Sequence, residues 1–461
     1  MKGLRFVLNP IALAIIGISL FLATTELTVL ESLSIGVFIY ALFNLIRRLS
    51  VKFVFIDLII LIISILWLLG PVISYHVFNK YNKLALLWDT YMKVSSDQYF
   101  SFVLPGTILF ILGLKFPIIL NRRIHDGQFI YNAKNYLKNK GNISLVLLGI
   151  GFVITMINPF LPSLFQGIFS FFAQLTFIGV FYALFSEFKY KKTVVSIAFL
   201  LLIFQCIMTG MYGELVYWSL LIFVLVIIGY NISIFSKMGY LILGSFLILF
   251  IQSIKHEYRA KTWGSGNERG SDPGYFGELI IDKISNPSKI FETDALFGMA
   301  TRANQGFLIA KTMNYVPRYE PFAHGETIIK SVFAAFVPRI IWPNKPESGG
   351  RDLIVRFLGA PKNLNYSYNL SPIGEAYVNF NKYGAIIFMF FYGLFFNWSF
   401  ERILKVALKY PSLIIWLPIF LIGPIQSMEG DVLGAINTMI KAIVFCWAMY
   451  FSFRVFFKIK L

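Results

Sequence analysis

The sequence predicts an all-α integral membrane protein with about twelve transmembrane helices and one large extracytoplasmic loop that contains amphipathic helices. First, 57% of its residues are hydrophobic and 14% are charged, whereas soluble domains carry roughly 25% charged residues. Second, apolar runs of about 20 residues, the length that crosses a bilayer, recur along most of the chain. Third, one long hydrophilic stretch interrupts them. The predicted units are a transmembrane bundle over 1–254, the extracytoplasmic loop over 255–382 and further transmembrane helices over 383–461.

The first apolar run also has the look of a secretory signal peptide, because Lys2 and Arg5 precede it. No small-residue cleavage site follows, and Glu26 leads directly into another apolar run, so a retained helix is predicted. The predicted spans lie at about 8–23, 27–46, 53–74, 98–114, 143–159, 162–186, 193–211, 213–234, 238–254, 383–400, 411–425 and 432–452. They show no internal repeat, so an inverted-repeat transporter has no support.

Basic residues occupy alternate short loops, which predicts the orientation of the chain. They concentrate at the N-terminus and in the segments 47–52, 115–142, 189–192, 402–409 and 454–460, while the intervening short loops hold only Lys80, Lys83 and Lys93. By the positive-inside rule both termini are cytoplasmic and the loop 255–382 is outside. The net charge of +18 therefore reflects membrane orientation and not nucleic-acid binding. The two cysteines lie in apolar runs, which indicates neither a disulfide framework nor a zinc site.

The loop 255–382 is too long to be structureless, so helices are predicted in it. From Asp294, a plausible N-cap, apolar residues follow a helical spacing as far as Ala310. A second amphipathic run over 327–337 ends at Pro338. Arg339 follows this helix break and lies close to Trp342 in the sequence. Ser371-Pro372 has the pattern of an N-cap followed by proline at the first helical position, with Glu375 in the opening turn. Favourable interaction with the helix dipole explains Glu375 as well as a chemical role does.

Two segments of this loop resemble a known family. They are His324-Gly…Val-Pro338-Arg339-Ile-Ile-Trp342-Pro-Asn-Lys345-Pro and Ser371-Pro-Ile-Gly-Glu375-Ala-Tyr377-Val-Asn-Phe380. Their pattern resembles the repeat-unit polymerases of O-antigens and exopolysaccharides, often called Wzy. The close match covers residues 324–384, while the remaining spans agree only in hydropathy.

The resemblance implies a membrane glycosyltransferase with a GT-C-like fold in the bacterial inner (cytoplasmic) membrane. Such enzymes join oligosaccharide repeat units carried on undecaprenyl pyrophosphate, at the outer face of that membrane, and build lipopolysaccharide or exopolysaccharide chains. The resemblance implies no metal and no cofactor. It also implies membrane lipids, a chain-length regulator and a flippase as partners.

The reaction implied by the resemblance gives the polar residues of the loop their roles. Arginine binds phosphate oxygens through a planar fork and suits a pyrophosphate leaving group. The expected catalytic residues are Arg339, with either His324 or Glu375 as the base. The expected substrate-binding residues are Arg302, Arg351, Arg259, Lys345, Tyr366 and Tyr368. The secondary candidates are Glu429, Asp431 and Arg356.

These residues also have simpler, non-catalytic explanations. Loop arginines also neutralise lipid headgroups, tyrosines anchor the chain at the membrane interface, and His324 before a glycine is typical of a turn. Two other functions remain open, a flippase of lipid-linked oligosaccharide and a ligase of finished polymer. A flippase needs charged residues at the membrane midplane, and apart from Lys441 the spans are poor in them.

No motif favours other chemistry. The chain has no P-loop, no His-Glu-x-x-His motif and no Cys/His cluster. Paired carboxylates of the kind that hold the metal of a nucleotide sugar are missing from the outer loop. A metal-independent reaction is therefore expected.

Overall fold

A computed structural model describes residues 9–118, 126–263, 271–337, 341–346, 349–361, 368–456 and 458–461, and in these ranges the regular structure is entirely helical. The N-terminal helices are α1 Pro10–Thr24, α2 Val29–Arg48, α3 Phe55–His76, α4 Lys83–Leu87, α5 Ser96–Lys115, α6 Asp126–Leu137, α7 Ile143–Ile157, α8 Ser163–Ala173, α9 Leu175–Phe185, α10 Lys191–Thr209, α11 Gly213–Ile227 and α12 Ile234–Thr262. The later helices are α13 Pro273–Ser285, α14 Thr293–Arg302, α15 Gly306–Tyr315, α16 Glu326–Phe336, α17 Arg351–Leu358, α18 Ser371–Ala407, α19 Leu413–Gln426 and α20 Val432–Val455.

The apolar helices confirm a helical membrane protein. Among the described residues, eight helices are long and apolar enough to cross a membrane: α2, α3, α5, the α8–α9 segment Phe165–Phe185, α10, α12, α18 and α20. Four shorter apolar helices, α1, α7, α11 and α19, fall at the other apolar runs of the sequence.

The packing of α18 against α5 forms much of the centre of the bundle. Two glycines allow the backbones of these helices to approach each other. A Cβ on Gly113 would lie 2.1 Å from the carbonyl oxygen of Phe390, and one on Gly393 would lie 2.3 Å from that of Phe110. Small residues at such crossings are typical of membrane helices, because the close approach maximises van der Waals contact.

The short loops rich in basic residues meet at one end of the bundle. Hydrogen bonds join Phe53 N–H to the Asp126 carboxylate at 2.9 Å, Glu187 N–H to the Lys138 carbonyl at 3.0 Å and the Tyr136 hydroxyl to the Leu461 carbonyl at 2.9 Å. The helices α13–α17 pack at the other end, where Phe297 contacts Phe78 just beyond the end of α3. The loops predicted to share one side of the membrane are therefore adjacent in space.

The segment 255–382, called the outer segment below, differs from the sequence prediction in three places. Asp294 is not an N-cap, because α14 begins at Thr293 with Glu292 at the N-cap position and Asp294 in its first turn. The continuous helical stripe from Asp294 to Ala310 is interrupted at residues 303–305, because the Gln305 N–H donates to the Leu66 carbonyl of α3 at 3.0 Å. Ser371 does not cap α18: the N-cap position is Leu370, and the Ser371 hydroxyl has no partner among the described residues. Proline in the first turn is confirmed, and so is the helix over 327–337, observed as α16.

Candidate functional site

The turn 427–431 between α19 and α20 connects two parts of the outer segment. On one side of Gly430, the Glu429 carboxylate accepts a hydrogen bond from the Arg302 guanidinium. On the other side, Asp431 caps α20 by accepting from Gly434 N–H at 2.6 Å, and it also accepts from Gly349 N–H at 3.1 Å. Two carboxylates that are two residues apart thus face different segments of the loop.

Glu375 lies behind this turn. It is the fifth residue of α18 and follows the first turn of the helix, whereas the sequence predicted it in that turn, because the helix begins at Ser371 and not after it. Its side chain is 1% exposed. One carboxylate oxygen accepts from the Thr327 hydroxyl at 3.0 Å, and the other accepts from Val432 N–H at 2.9 Å. The Asn379 amide donates to the Thr327 hydroxyl at 2.6 Å. This buried carboxyl therefore ties α16, α18 and α20 together.

A polar cavity of about 170 Å³ opens between α16, α17 and the start of α20. Its charged lining consists of Glu326, Lys330, Asp352, Arg356 and Asp431, and Thr327 separates it from Glu375. Hydroxyls, carboxylates and cations on one concave surface suit a ligand with many hydroxyl groups. We call this space the polar cavity.

Two carboxyls on the polar cavity have opposite pKa shifts. Hydrogen bonds and ion pairs from Lys330 and Arg356 lower the pKa of the Glu326 carboxyl. Burial raises the pKa of the Asp431 carboxyl, although the backbone donors of Gly434 and Gly349 act in the opposite direction. Carboxyls whose pKa values are driven apart are suited to different roles in proton transfer.

A group of cations lies on the Glu429 side of the turn. Arg302 ends α14, and Lys255 on α12 is near enough to interact electrostatically with Arg302, Arg259 and Glu429. Arg259 donates to the Gly210 carbonyl at 2.8 Å and stacks on Trp263 with 4.0 Å between the guanidinium carbon and the ring centroid. Two cations thus interact with one carboxylate, and a third, Arg259, lies beside Lys255. We call Arg302, Lys255, Arg259 and Glu429 the cationic cluster.

Burial raises the pKa of the Glu429 carboxyl, while Arg302 and Lys255 oppose the shift. An excess of cations over carboxylates in a partly buried place favours an anionic ligand, because charges interact more strongly when water is excluded. The cationic cluster therefore suits phosphate chemistry better than the polar cavity does.

An apolar cavity of about 160 Å³ lies between α10, α11, α12 and α13, next to the cationic cluster. Its lining includes Cys206, Tyr212, Ile254 and Phe276. Arg259 lies close enough to Tyr212 to interact with its hydroxyl electrostatically. An apolar space beside a cation matches the chain and headgroup of a phospholipid-like molecule.

The structure places the remaining predicted residues as follows. His324 is exposed in a turn with φ 47°, and its neighbour Ala323 donates to the Val378 carbonyl at 2.8 Å. Lys345 donates to the carbonyls of Ala334 and Val337, so it caps the end of α16.

Arg351 is exposed at the first residue of α17, and Tyr368 is 49% exposed. Arg339 and Tyr366 lie outside the described residues.

Arg356 borders the polar cavity and pairs with two carboxylates. Its Nε lies 2.6 Å from Glu320 and its Nη1 lies 2.9 Å from Glu326. Of the secondary candidates, Glu429 thus belongs to the cationic cluster, and Asp431 and Arg356 line the polar cavity. Among the described residues, no group of three or more His, Cys, Asp and Glu side chains is placed to hold a metal ion.

Sequence reasoning missed the polar face of α16. Its buried residues are Thr327, Ser331 and Ala334, while its large apolar residues point outward. The exposed ones are Ile329, Val332, Phe333 and Phe336. The spacing of small polar residues four apart was a readable signal, because a surface helix of a soluble protein shows the reverse arrangement. The apolar face of α16 is thus exposed, and its polar face is buried against the rest of the protein.

Comparisons with known proteins give a family and no function. No curated protein and no solved structure matched the chain. One family model matches residues 25–406, a range that contains Arg302, His324 and Glu375 and stops before Glu429. The chain therefore belongs to the family described as a domain of unknown function, DUF8712.

Proposed function

We propose that the protein is a membrane glycosyltransferase that polymerises oligosaccharide repeat units carried on a lipid pyrophosphate. In this proposal the chain crosses the bacterial cytoplasmic membrane twelve times in a GT-C-like arrangement, with both termini inside and α13–α17 outside. One observation carries the proposal. The turn 427–431 separates a cationic cluster from a polar cavity that contains a buried carboxylate.

The cationic cluster meets the charge requirement of the leaving group. In the transfer, the bond between the sugar C1 and the pyrophosphate oxygen breaks, and that oxygen takes the electron pair. Arg302, Arg259 and Lys255 would stabilise the negative charge that develops there. Preorganised cations of this kind usually supply the largest catalytic contribution.

The polar cavity meets the requirement for an acceptor hydroxyl. That hydroxyl forms the new bond to C1 and loses its proton. Neither candidate base from the sequence lines the polar cavity, because Glu375 lies behind Thr327 and His324 is exposed in a turn. We therefore assign the proton to Asp431, which lines the polar cavity and interacts electrostatically with Glu375. Glu375 then acts as a positioning residue.

The surroundings of the site suit a substrate with an apolar chain. The outward face of α16 is apolar beside the polar cavity, and the apolar cavity lies beside Arg259. A lipid-linked sugar needs both surfaces at once, because its headgroup and its chain partition differently. A flippase needs no carboxyl at a sugar-sized cavity on one end of the bundle.

Deletion of the gene and complementation test this function. We expect single repeat units on the carrier lipid to accumulate in the outer leaflet, and the intact chain to restore long polymers. Arg302→Ala should fail to restore them, while Arg318→Ala, which changes an exposed arginine of the same segment, should restore them. Accumulation in the inner leaflet would contradict the proposal in favour of a flippase, and long polymers unattached to their final acceptor would indicate a ligase.

A further inference from the structure

Helix α3 contains a π-helical segment, Ser64–Leu69, that faces the outer segment. Widened turns of this type are rare and leave backbone groups available for partners outside the helix. The Leu66 carbonyl accepts from Gln305 N–H at 3.0 Å, and the Trp67 carbonyl accepts from the Tyr99 hydroxyl at 3.0 Å. The π-helical segment thus binds the interruption between α14 and α15.

The next residue of this segment, Trp67, binds the turn that carries Glu429. The buried Trp67 donates its indole N–H to the Met428 carbonyl at 3.3 Å. Met428 immediately precedes Glu429, and Gln305 follows Arg302 by three residues. Consecutive residues of α3 therefore hold the two chain segments that carry the Arg302–Glu429 ion pair.

Residues 303–305 pack closely against α3. Asn304 and Gln305 are buried. A Cβ on Gly70 would lie 2.2 Å from the Ala303 carbonyl oxygen and 2.8 Å from its carbonyl carbon. Because these are backbone atoms, the segment would have to shift to accommodate any side chain at position 70.

We propose that the π-helical segment of α3 positions the Arg302–Glu429 pair, with Trp67 and Gly70 as positioning residues. The ion pair alone does not determine where the two side chains meet, because Arg302 is 51% exposed and a pair of this kind contributes little by itself. The consequence for catalysis rests on the proposed function, whereas the positioning itself does not.

Cross-linking tests the positioning without any enzyme assay. In the full-length membrane-embedded chain with Cys206→Ala and Cys446→Ala, cysteines replace Arg302 and Glu429, and the rate of cross-linking by a short bismaleimide is measured. Trp67→Phe keeps an aromatic ring and removes the N–H donor, so we expect the rate to fall about fivefold, the equivalent of one net hydrogen bond. Gly70→Ala should lower it further.

Two controls make the result specific. Gly149→Ala also adds a methyl group to a helical glycine, but into open space, and should leave the rate unchanged. A cysteine pair at Lys138 and Glu187, which form an ion pair at the other end of the bundle, should react equally in every variant that folds. Unchanged cross-linking between positions 302 and 429 in both Trp67→Phe and Gly70→Ala would overturn the inference. Slower cross-linking with unchanged polymerisation would support the positioning and count against the proposed function.

Discussion

The Thr327 hydroxyl donates a hydrogen bond to the Glu375 carboxylate at 3.0 Å, across a separation of 48 residues. Both side chains are buried, and the Asn379 amide donates to the same hydroxyl. This contact joins α16 to the central helix α18. It also forms the wall between the polar cavity and the carboxyl behind it.

Thr327→Val should destabilise the protein by roughly 1–3 kcal/mol, because a buried carboxylate oxygen then loses its side-chain donor. Thr327→Ser keeps the hydroxyl and should lie close to the parent chain. Thermal unfolding in detergent measures the difference. Thr155→Val is the control, since the hydroxyl of Thr155 donates to the Gly151 carbonyl of its own helix. Equal midpoints for Thr327→Val and the parent would show that the contact contributes nothing.

Arg302→Ala should lower the polymerisation rate by about 100-fold, the usual effect of removing one preorganised donor from a site of developing negative charge. Arg302→Lys keeps the charge and loses the planar fork, so an intermediate rate is expected. Initial rates with a synthetic lipid-linked repeat unit measure the effect. Arg318→Ala serves as the matched control, and a rate for Arg302→Ala equal to that of the control would remove Arg302 from the mechanism.

Asp431 should give the rate a pH dependence. Because burial raises its pKa, the carboxyl becomes protonated at a higher pH than an ordinary aspartate, and a proton acceptor works only when ionised. The rate should therefore fall as pH falls through this raised pKa. Asp431→Asn should lose most of the activity across the whole range. A parent rate that rises on acidification would contradict the assignment.

The Asp431 carboxyl should also give stability a pH dependence, with a sign opposite to that of the rate. A carboxyl whose pKa is higher in the folded state binds protons more tightly when folded, so the free energy of unfolding decreases as pH rises through the interval between the unfolded and folded pKa values. Asp431→Asn should flatten this part of the profile. Unfolding midpoints in detergent measured across that pH interval check the slope and its sign.

The proposed orientation predicts which thiols are accessible from outside. A cysteine at Arg318 should react with a membrane-impermeant maleimide in intact cells. A cysteine at Lys138, half-exposed at the other end of the bundle, should react only after permeabilisation. Labelling of both positions in intact cells, or of Lys138 alone, would contradict two cytoplasmic termini.

Much of the fold could be predicted because local patterns determine it. Apolar length predicted the position of the membrane helices, and the amphipathic run at 327–337 predicted α16 within a residue of its observed start. The break at residues 303–305 could not be predicted, because its cause is the π-helical segment of α3, more than 200 residues earlier in the chain. Local spacing carries no information about such a partner.

The composition of the site was predictable only in part. Arg302, Arg259, Glu429 and Asp431 were candidates by residue type, but their division into two groups depends on the turn 427–431. The Arg302–Glu429 contact spans 127 residues. Thr327 escaped notice because a threonine in an amphipathic run looks like an ordinary polar residue until its buried partner is known.

The most direct test of the central claim is polymerisation by the purified protein in liposomes. The substrate is a synthetic oligosaccharide repeat unit on a polyprenyl pyrophosphate, with no nucleotide sugar added. We predict a ladder of products that differ by one repeat unit, accompanied by release of the lipid pyrophosphate and greatly reduced in Arg302→Ala. Movement of the lipid between leaflets without any increase in saccharide length would contradict the account.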